Sequence, residues 1–323
     1  MTEKLRIVFM GTPEFAVESL KALLENDRNI AAVITAPDKP SGRGKQIMPP
    51  PVKQYALSAG IENILQPENL KDPDFLTELK KINADLYVVV AFRMLPEAVW
   101  SIPPKGTINL HASLLPDYRG AAPINWVLIN GEPETGITTF FIDKNIDTGK
   151  IILQDRVNIS PTMNAGELHD LLMTKGAQLL TKTVHAISEN NYPVVAQSML
   201  MDGKTLHTAR KIFKEDCKIN WNNTVLEIYN FIRGLSPYPA AWTEIVSESI
   251  LHSVKIFSCK KHVQHHSSPN GTLITDGSNY LNVAAKDGFI DIGILQLAGK
   301  KPMEIKEFLR GFKDIENFKA LSD

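Results

Sequence analysis

The run Asp85-Leu86-Tyr87-Val88-Val89-Val90-Ala91 constrains the fold more than any other stretch of this chain. It is apolar without alternation and rich in β-branched residues. It therefore predicts a strand covered on both faces, the environment of a parallel sheet with helices on either side. The neighbouring segments agree. Leu5–Met10, Ile30–Thr35, Ile108–His111, Ile137–Ile142 and Lys150–Val157 read as strands, and Val52–Ala59, Phe75–Ile82 and Ala165–Glu189 as helices. Gly11-Thr12-Pro13-Glu14 opens a further helix, with Thr12 placed to cap it and Pro13 suited to its first turn. Strand and helix in alternation predict an α/β fold, a doubly wound and mostly parallel sheet of Rossmann-like type.

After Glu189 the pattern changes. Residues 190–207 are irregular and polar, a linker by composition, although Val194, Val195, Met199 and Leu200 suggest that it packs against something. One helix follows, Thr224–Leu235, and then five short strands: Ala241–Val246, Ile250–Ser258, Gly271–Thr275, Tyr280–Ala285 and Ile290–Leu297. Turn signals such as Pro269-Asn270-Gly271 and Lys286-Asp287-Gly288 separate some of them. Five strands in a compact unit predict a small oligonucleotide-binding-type (OB-like) β-barrel. The expected division is a catalytic domain at 1–189, a linker at 190–207 and a barrel domain at 208–323.

The remaining composition mainly excludes. A hydrophobic share of 43% and a charged share of 22% are those of an ordinary globular protein. No apolar run approaches a membrane span, and the N-terminal run is too short for a signal peptide, so a cytoplasmic protein is expected. Two cysteines, Cys217 and Cys259, support neither a disulfide framework nor a thiolate metal site. His262, His265 and His266 cluster in Lys260–Ser268, read as a solvated hairpin loop, and no metal is expected. Gly11 sits where a dinucleotide fingerprint would begin, but Gly11-Thr12-Pro13-Glu14-Phe15-Ala16 lacks its glycines, which argues against a nicotinamide enzyme. Residues 204–323 carry 16 Lys+Arg against 13 Asp+Glu, whereas residues 1–203 carry 19 against 23. The small basic excess of the second part is compatible with a nucleic-acid partner.

The chemistry concentrates at Ile108-Asn109-Leu110-His111. Alternation along the strand places Asn109 and His111 on one face. An amide donor beside an imidazole can stabilise a developing oxyanion and move a proton. Asp147 follows the strand Ile137–Ile142 in a loop, and ligands bind α/β sheets outside the carboxyl ends of their strands. Asn109, His111 and Asp147 are thus the candidate catalytic residues.

Asn109-x-His111 with Ser113-Leu114-Leu115-Pro116, Tyr118-Arg119-Gly120 and Asp147-x-Gly149 resembles the signature of the folate-dependent formyltransferases. Met10–Ala16, Pro37–Pro40 with Gly42–Lys45, Gly120–Ile124 and Leu297–Met303 extend the likeness over nearly the whole chain, to the branch that acts on methionyl-tRNA. The resemblance implies transfer of a formyl group from 10-formyltetrahydrofolate, a cosubstrate, to the amino group of methionyl initiator tRNA. It also implies folate contacts from Phe92, Arg93, Met94, Leu95, Ser113, Leu114, Leu115, Pro116 and Asp143, and a cis bond at Leu115-Pro116. The turn Phe92-Arg93-Met94-Leu95-Pro96 departs from the family's Tyr-Gly-containing pattern and is one residue shorter, which leaves its individual contacts open. The resemblance further implies that the long basic loop Pro37–Pro51, with Lys39, Arg43 and Lys45, meets the tRNA acceptor end. Lys204, Arg210 and Lys211 stand at the entry to the barrel as further tRNA contacts. A monomer is expected. The nearest alternative is a formyltransferase acting on a nucleotide-linked amino sugar.

Overall fold

The structure is a computed structural model and describes residues 4–41, 46–201, 203, 205–248, 250–312 and 314–322. Its contacts group the chain into two compact units that interleave along the sequence. The first comprises Met1–Gly120, Glu134–Asn158 and His169–Thr208, and the second Ala121–Pro133, Ile159–Leu168 and Ala209–Asp323.

The first unit is built on a seven-stranded sheet. Its strands are β1 (Arg6–Gly11), β2 (Asn29–Ile34), β3 (Ile64–Leu65), β4 (Leu86–Val90), β5 (Thr107–His111), β6 (Glu134–Phe141) and β7 (Ile151–Asn158). They lie in the order β7-β6-β5-β4-β1-β2-β3. The five strands from β5 to β3 in that row are parallel, while β6 and β7 run antiparallel to their neighbours. Every residue of β4 is buried, as its unbroken apolar run requires. The helix Pro73–Lys81 carries its signals locally: Asp72 accepts from the amides of Asp74 (2.8 Å) and Phe75 (3.2 Å), Pro73 opens the first turn, and Lys80 and Lys81 close the last.

Two local expectations are corrected. Thr12 does not cap the helix Glu14–Glu25; Pro13 holds the cap position and no side chain accepts there. The segment Pro37–Pro51 is not wholly loop, because Lys39–Ser41 and Gln46–Met48 pair as a small antiparallel hairpin with Lys39 opposite Met48.

The second unit contains a barrel-like sheet of β8 (Ala241–Ser247), β9 (Ile250–Val263), β10 (Leu273–Thr275), β11 (Leu281–Ala285), β12 (Gly288–Leu297) and β13 (Lys319–Ala320), ordered β10-β11-β12-β9-β8-β13. A bridge between Thr272 and Lys319 brings its two ends together. Trp221, Ile256, Val283, Ile292 and Phe308 are among the residues of its core, and the Trp221 indole N–H donates to Thr243 Oγ1 at 3.0 Å. The helix Val225–Leu235 starts with the reciprocal Thr224–Glu227 capping box. β9 runs to Val263, five residues beyond the strand expected from sequence. His262 therefore lies in a strand opposite Phe289, with Asp291 Oδ2 at 3.9 Å, while His266, in the irregular segment that follows, is half-buried at a tilt against Phe289 with ring centres 4.5 Å apart. Among the described residues no helix is long and apolar enough to cross a membrane.

Candidate active site

β5 presents the polar pair as its period of two demands. Asn109 and His111 alternate with Ile108 and Leu110, which are buried. The neighbouring strands fix the height of each group: Asn109 pairs with Val89 of β4 and Phe140 of β6, and His111 pairs with Thr138. Among the described residues no hydrogen bond occupies the Asn109 side chain, which leaves its amide for a ligand.

Asp147 reaches this pair by a less obvious route. β6 ends at Phe141, opposite Ile108, so the following loop must double back along the strand pair to meet His111. Gly149 makes the return possible. A Cβ there would lie 1.6 Å from the Phe141 carbonyl oxygen, and that backbone is held by the bonds from Phe141 N to Lys150 O and from Ile142 N to Thr107 O. Asp147 takes a left-handed φ of 55°, as does Tyr118 at the other side of the site. Backbone conformations of this kind collect where surrounding structure imposes them.

The resulting geometry is a carboxylate facing an imidazole. Asp147 Oδ2 lies 3.7 Å from His111 Nδ1 and accepts the Gly120 amide at 2.9 Å. The opposite ring nitrogen, His111 Nε2, is 2.9 Å from the Tyr118 carbonyl oxygen. A carbonyl oxygen can only accept, so Nε2 carries a proton. Nδ1 is then the ring nitrogen that faces the Asp147 carboxylate, in reach of a proton passed between the two.

Several groups that shape the site were not legible as functional. Gln197, in the segment expected to be a linker, is 3% exposed. Its amide donates to the carbonyls of Asp147 (2.9 Å) and Gly149 (2.8 Å), and its oxygen accepts from Arg119 Nε (3.0 Å) and Nη2 (2.6 Å). Thr138 and Gln154 pin the turn after β5: Thr138 Oγ1 donates to Ser113 O at 2.7 Å, and Gln154 Nε2 donates to Leu115 O at 2.9 Å. The available signal was the set of apolar residues Val194, Val195, Met199 and Leu200 in that stretch, of which Val195 bridges Ile151 of β7.

The residues expected to contact folate fall in three places. Ser113, Leu115 and Pro116 are buried in the pinned turn and Leu114 is half-buried, with the Ser113 hydroxyl donating to Asp117 O at 2.7 Å and the Leu115-Pro116 bond cis. Asp143 Oδ1 accepts from Asn145 N at 2.9 Å and from Thr148 Oγ1 at 2.7 Å, which shapes the loop that carries Asp147. Leu95 is buried, Phe92 packs on the same core, and Arg93 donates to the carbonyls of Pro67 and Glu68. Arg93, Met94 and Leu95 border an open groove of about 730 Å³ together with Glu68 and Lys71. Of the residues expected to meet tRNA, Arg43, Lys45 and Lys204 lie outside the described residues. Lys39 is exposed in the hairpin. In the second unit Arg210 forms a two-point pair with Asp216, whose carboxyl it holds down to about 2, and lies 5.3 Å from the Trp126 ring centre; Lys211 stands 5.3 Å from that of Phe213.

A formyl transferase domain model matches residues 5–184, and a formyl transferase C-terminal domain model matches residues 211–313. The chain belongs to the formyl transferase family. A methionyl-tRNA formyltransferase of Parabacteroides distasonis is 54% identical over 319 residues, 98% of both chains. One from Flavobacterium johnsoniae is 52% identical over 309 residues, 96% of both. Among solved structures, a sugar 3N-formyl transferase with dTDP and 5-N-formyl-THF is similar at a TM-score of 0.62 and 23% identity, covering 93% of this formyltransferase and 100% of that chain. An N-formyltransferase from Helicobacter canadensis, with folinic acid and dTDP-3-aminofucose, gives a TM-score of 0.62 at 22% identity, over 89% of this chain and 98% of its own. At those identities the likeness is one of fold.

Proposed function

We propose that this formyltransferase carries the formyl group of 10-formyltetrahydrofolate to the amino group of methionine on initiator tRNA, the step that prepares that tRNA for translation initiation. The observation that carries the reading is the Asn109 amide, unengaged among the described residues, beside the His111–Asp147 pair, in a chain 54% identical along its length to proteins named for that activity. Formyl transfer moves one proton from the attacking amine to the departing folate nitrogen and places transient negative charge on the formyl oxygen. Asn109 donates to that oxygen, in a half-buried setting where a fixed dipole counts for more than it does in water. Asp147 accepts the amine proton, directly or through one water. His111, held through Nε2 by the Tyr118 carbonyl, passes a proton from Nδ1, the nitrogen facing Asp147, to the departing nitrogen. A cytoplasmic monomer is the form this reading assigns to the chain, with all three groups on one polypeptide and a charged tRNA as acceptor.

A tRNA acceptor is further supported by the second unit. Arg210 beside Trp126, Lys211 beside Phe213, and Lys214 and Lys218 beside Trp242 interleave cations with aromatic rings, the composition that suits phosphates and unstacked bases. Labelled formyl-folate offered with charged initiator tRNA, a nucleotide-linked amino sugar or glycinamide ribonucleotide should label the tRNA alone. Label in the amino sugar would transfer the reading to the alternative acceptor. Lys39, Arg43 and Lys45 belong to the catalytic part of the chain and are assigned the acceptor end, with Lys204 adding affinity. On that assignment Arg43→Ala lowers kcat on initiator tRNA and narrows its advantage over an elongator, with the affinity loss smaller than the loss in turnover. Unchanged rate and preference in steady-state assays with both tRNAs would remove Arg43 from recognition.

A further inference from the structure

We infer that Gln197 is a positioning residue for formyl transfer: it clamps the loop that carries Asp147 and so sets the distance of that carboxylate from His111. The inference rests on the formyl-transfer reading and deepens it. A primary amide has two donors and two acceptor lone pairs. In Gln197 all four are used, on the carbonyls of Asp147 and Gly149 and on two nitrogens of Arg119. Its orientation is chemically forced, because a flipped amide would set its oxygen against two carbonyls and its N–H groups against a guanidinium. Each partner lies far away in sequence, Asp147 at 50 residues and Arg119 at 78.

The clamp closes a ring of contacts around the reacting groups. His111 Nε2 bonds Tyr118 O, and the adjacent Arg119 bonds Gln197. Gln197 bonds the Asp147 backbone, and the Asp147 carboxylate faces His111 while accepting from Gly120. The ring is anchored to the sheet two residues before the clamp, where Val195 and Ile151 exchange backbone bonds at 2.9 Å in both directions. Asp147 stands in a left-handed conformation, uncommon for a residue other than glycine. The distance between His111 and Asp147 is therefore set from outside both residues.

The test is Gln197→Leu, which keeps the volume and removes all four bonds, with Gln197→Glu, which keeps the Arg119 pair and loses the two donors. The kcat for formyl-methionyl-tRNA should fall about 10- to 100-fold, the scale of a misplacement of roughly 1 Å, with KM for both substrates within about threefold of wild type. In an Asp147→Asn background Gln197→Leu should cost less than about twofold more, because it acts through the missing carboxylate. A crystal structure of Gln197→Leu should show the Asp147 loop withdrawn from His111. That readout needs no substrate and separates failure of the clamp from failure of the proposed reaction. If Leu at 197 prevents folding, the Glu variant carries the same three measurements. An unmoved Asp147, an unchanged kcat, or a loss that multiplies fully in the Asp147→Asn background would each overturn the inference.

Discussion

His111→Ala and Asp147→Asn each lower the turnover of formyl transfer at least about 100-fold while leaving the thermal melt within a few degrees of wild type. The loss is large because each residue serves charge that exists only while the bond is changing, so substrate affinity should move far less than kcat. His111→Ala removes the imidazole from between the Tyr118 carbonyl and the Asp147 carboxylate. Asp147→Asn keeps the shape and can still accept from Gly120 N, but it cannot take up the amine proton. Asn109→Ala belongs to the same series, and its loss should resemble that of removing one donor from an oxyanion site. The combined His111→Ala, Asp147→Asn variant should be little worse than either single change, since the two act as one unit. Near-normal turnover of purified His111→Ala in the labelled-formyl assay would end this mechanism.

Gly149→Ala costs both activity and stability. Its Cβ has no place to go: the Phe141 carbonyl oxygen would be 1.6 Å away and the Phe141 carbonyl carbon 2.8 Å. These are backbone atoms tied into the sheet, so the 142–150 loop must yield, and Asp147 moves with it. Overpacking of this sort destabilises by about 1–3 kcal/mol, and the shift of Asp147 lowers kcat by about 100-fold. Gly311→Ala is the matched control, because its added Cβ meets nothing within 4 Å, and it should leave melting temperature and kcat unchanged. Equal behaviour of the two variants in melting and turnover assays would show that the loop tolerates what the geometry forbids.

The interleaving of the two units affects how binding can be dissected. Ala121–Pro133 and Ile159–Leu168 group with Ala209–Asp323. Within that unit Asn125 Nδ2 bonds Gly234 O at 2.7 Å, and Arg233 Nη1 bonds Met163 O at 3.0 Å. A truncation after residue 207 strips those segments of their partners, so single substitutions at Lys39, Arg43, Arg210 or Lys211 are the sounder probe of tRNA contacts.

What could be read from the chain alone is what backbone geometry fixes within a few residues. The unbroken apolar run at Leu86–Val90 defines a fully covered strand, and a period of two places Asn109 and His111 together, because each depends only on spacing along one element. Asp147 joined that pair as a carboxylate in a loop after a strand, without a route by which it arrives. Tertiary structure supplied the rest. The antiparallel pairing of β6 sets where the 142–150 loop begins, Gly149 lets it return, and Gln197, from a segment that reads as linker, holds it in place across 50 residues. Likewise, β9 continues to Val263 because β12 pairs with it that far, although its exposed, basic end carries no strand signal of its own. Polar contacts between residues far apart leave no periodicity in a sequence, so short spacing could nominate the candidate residues while their geometry was decided only by the folded chain.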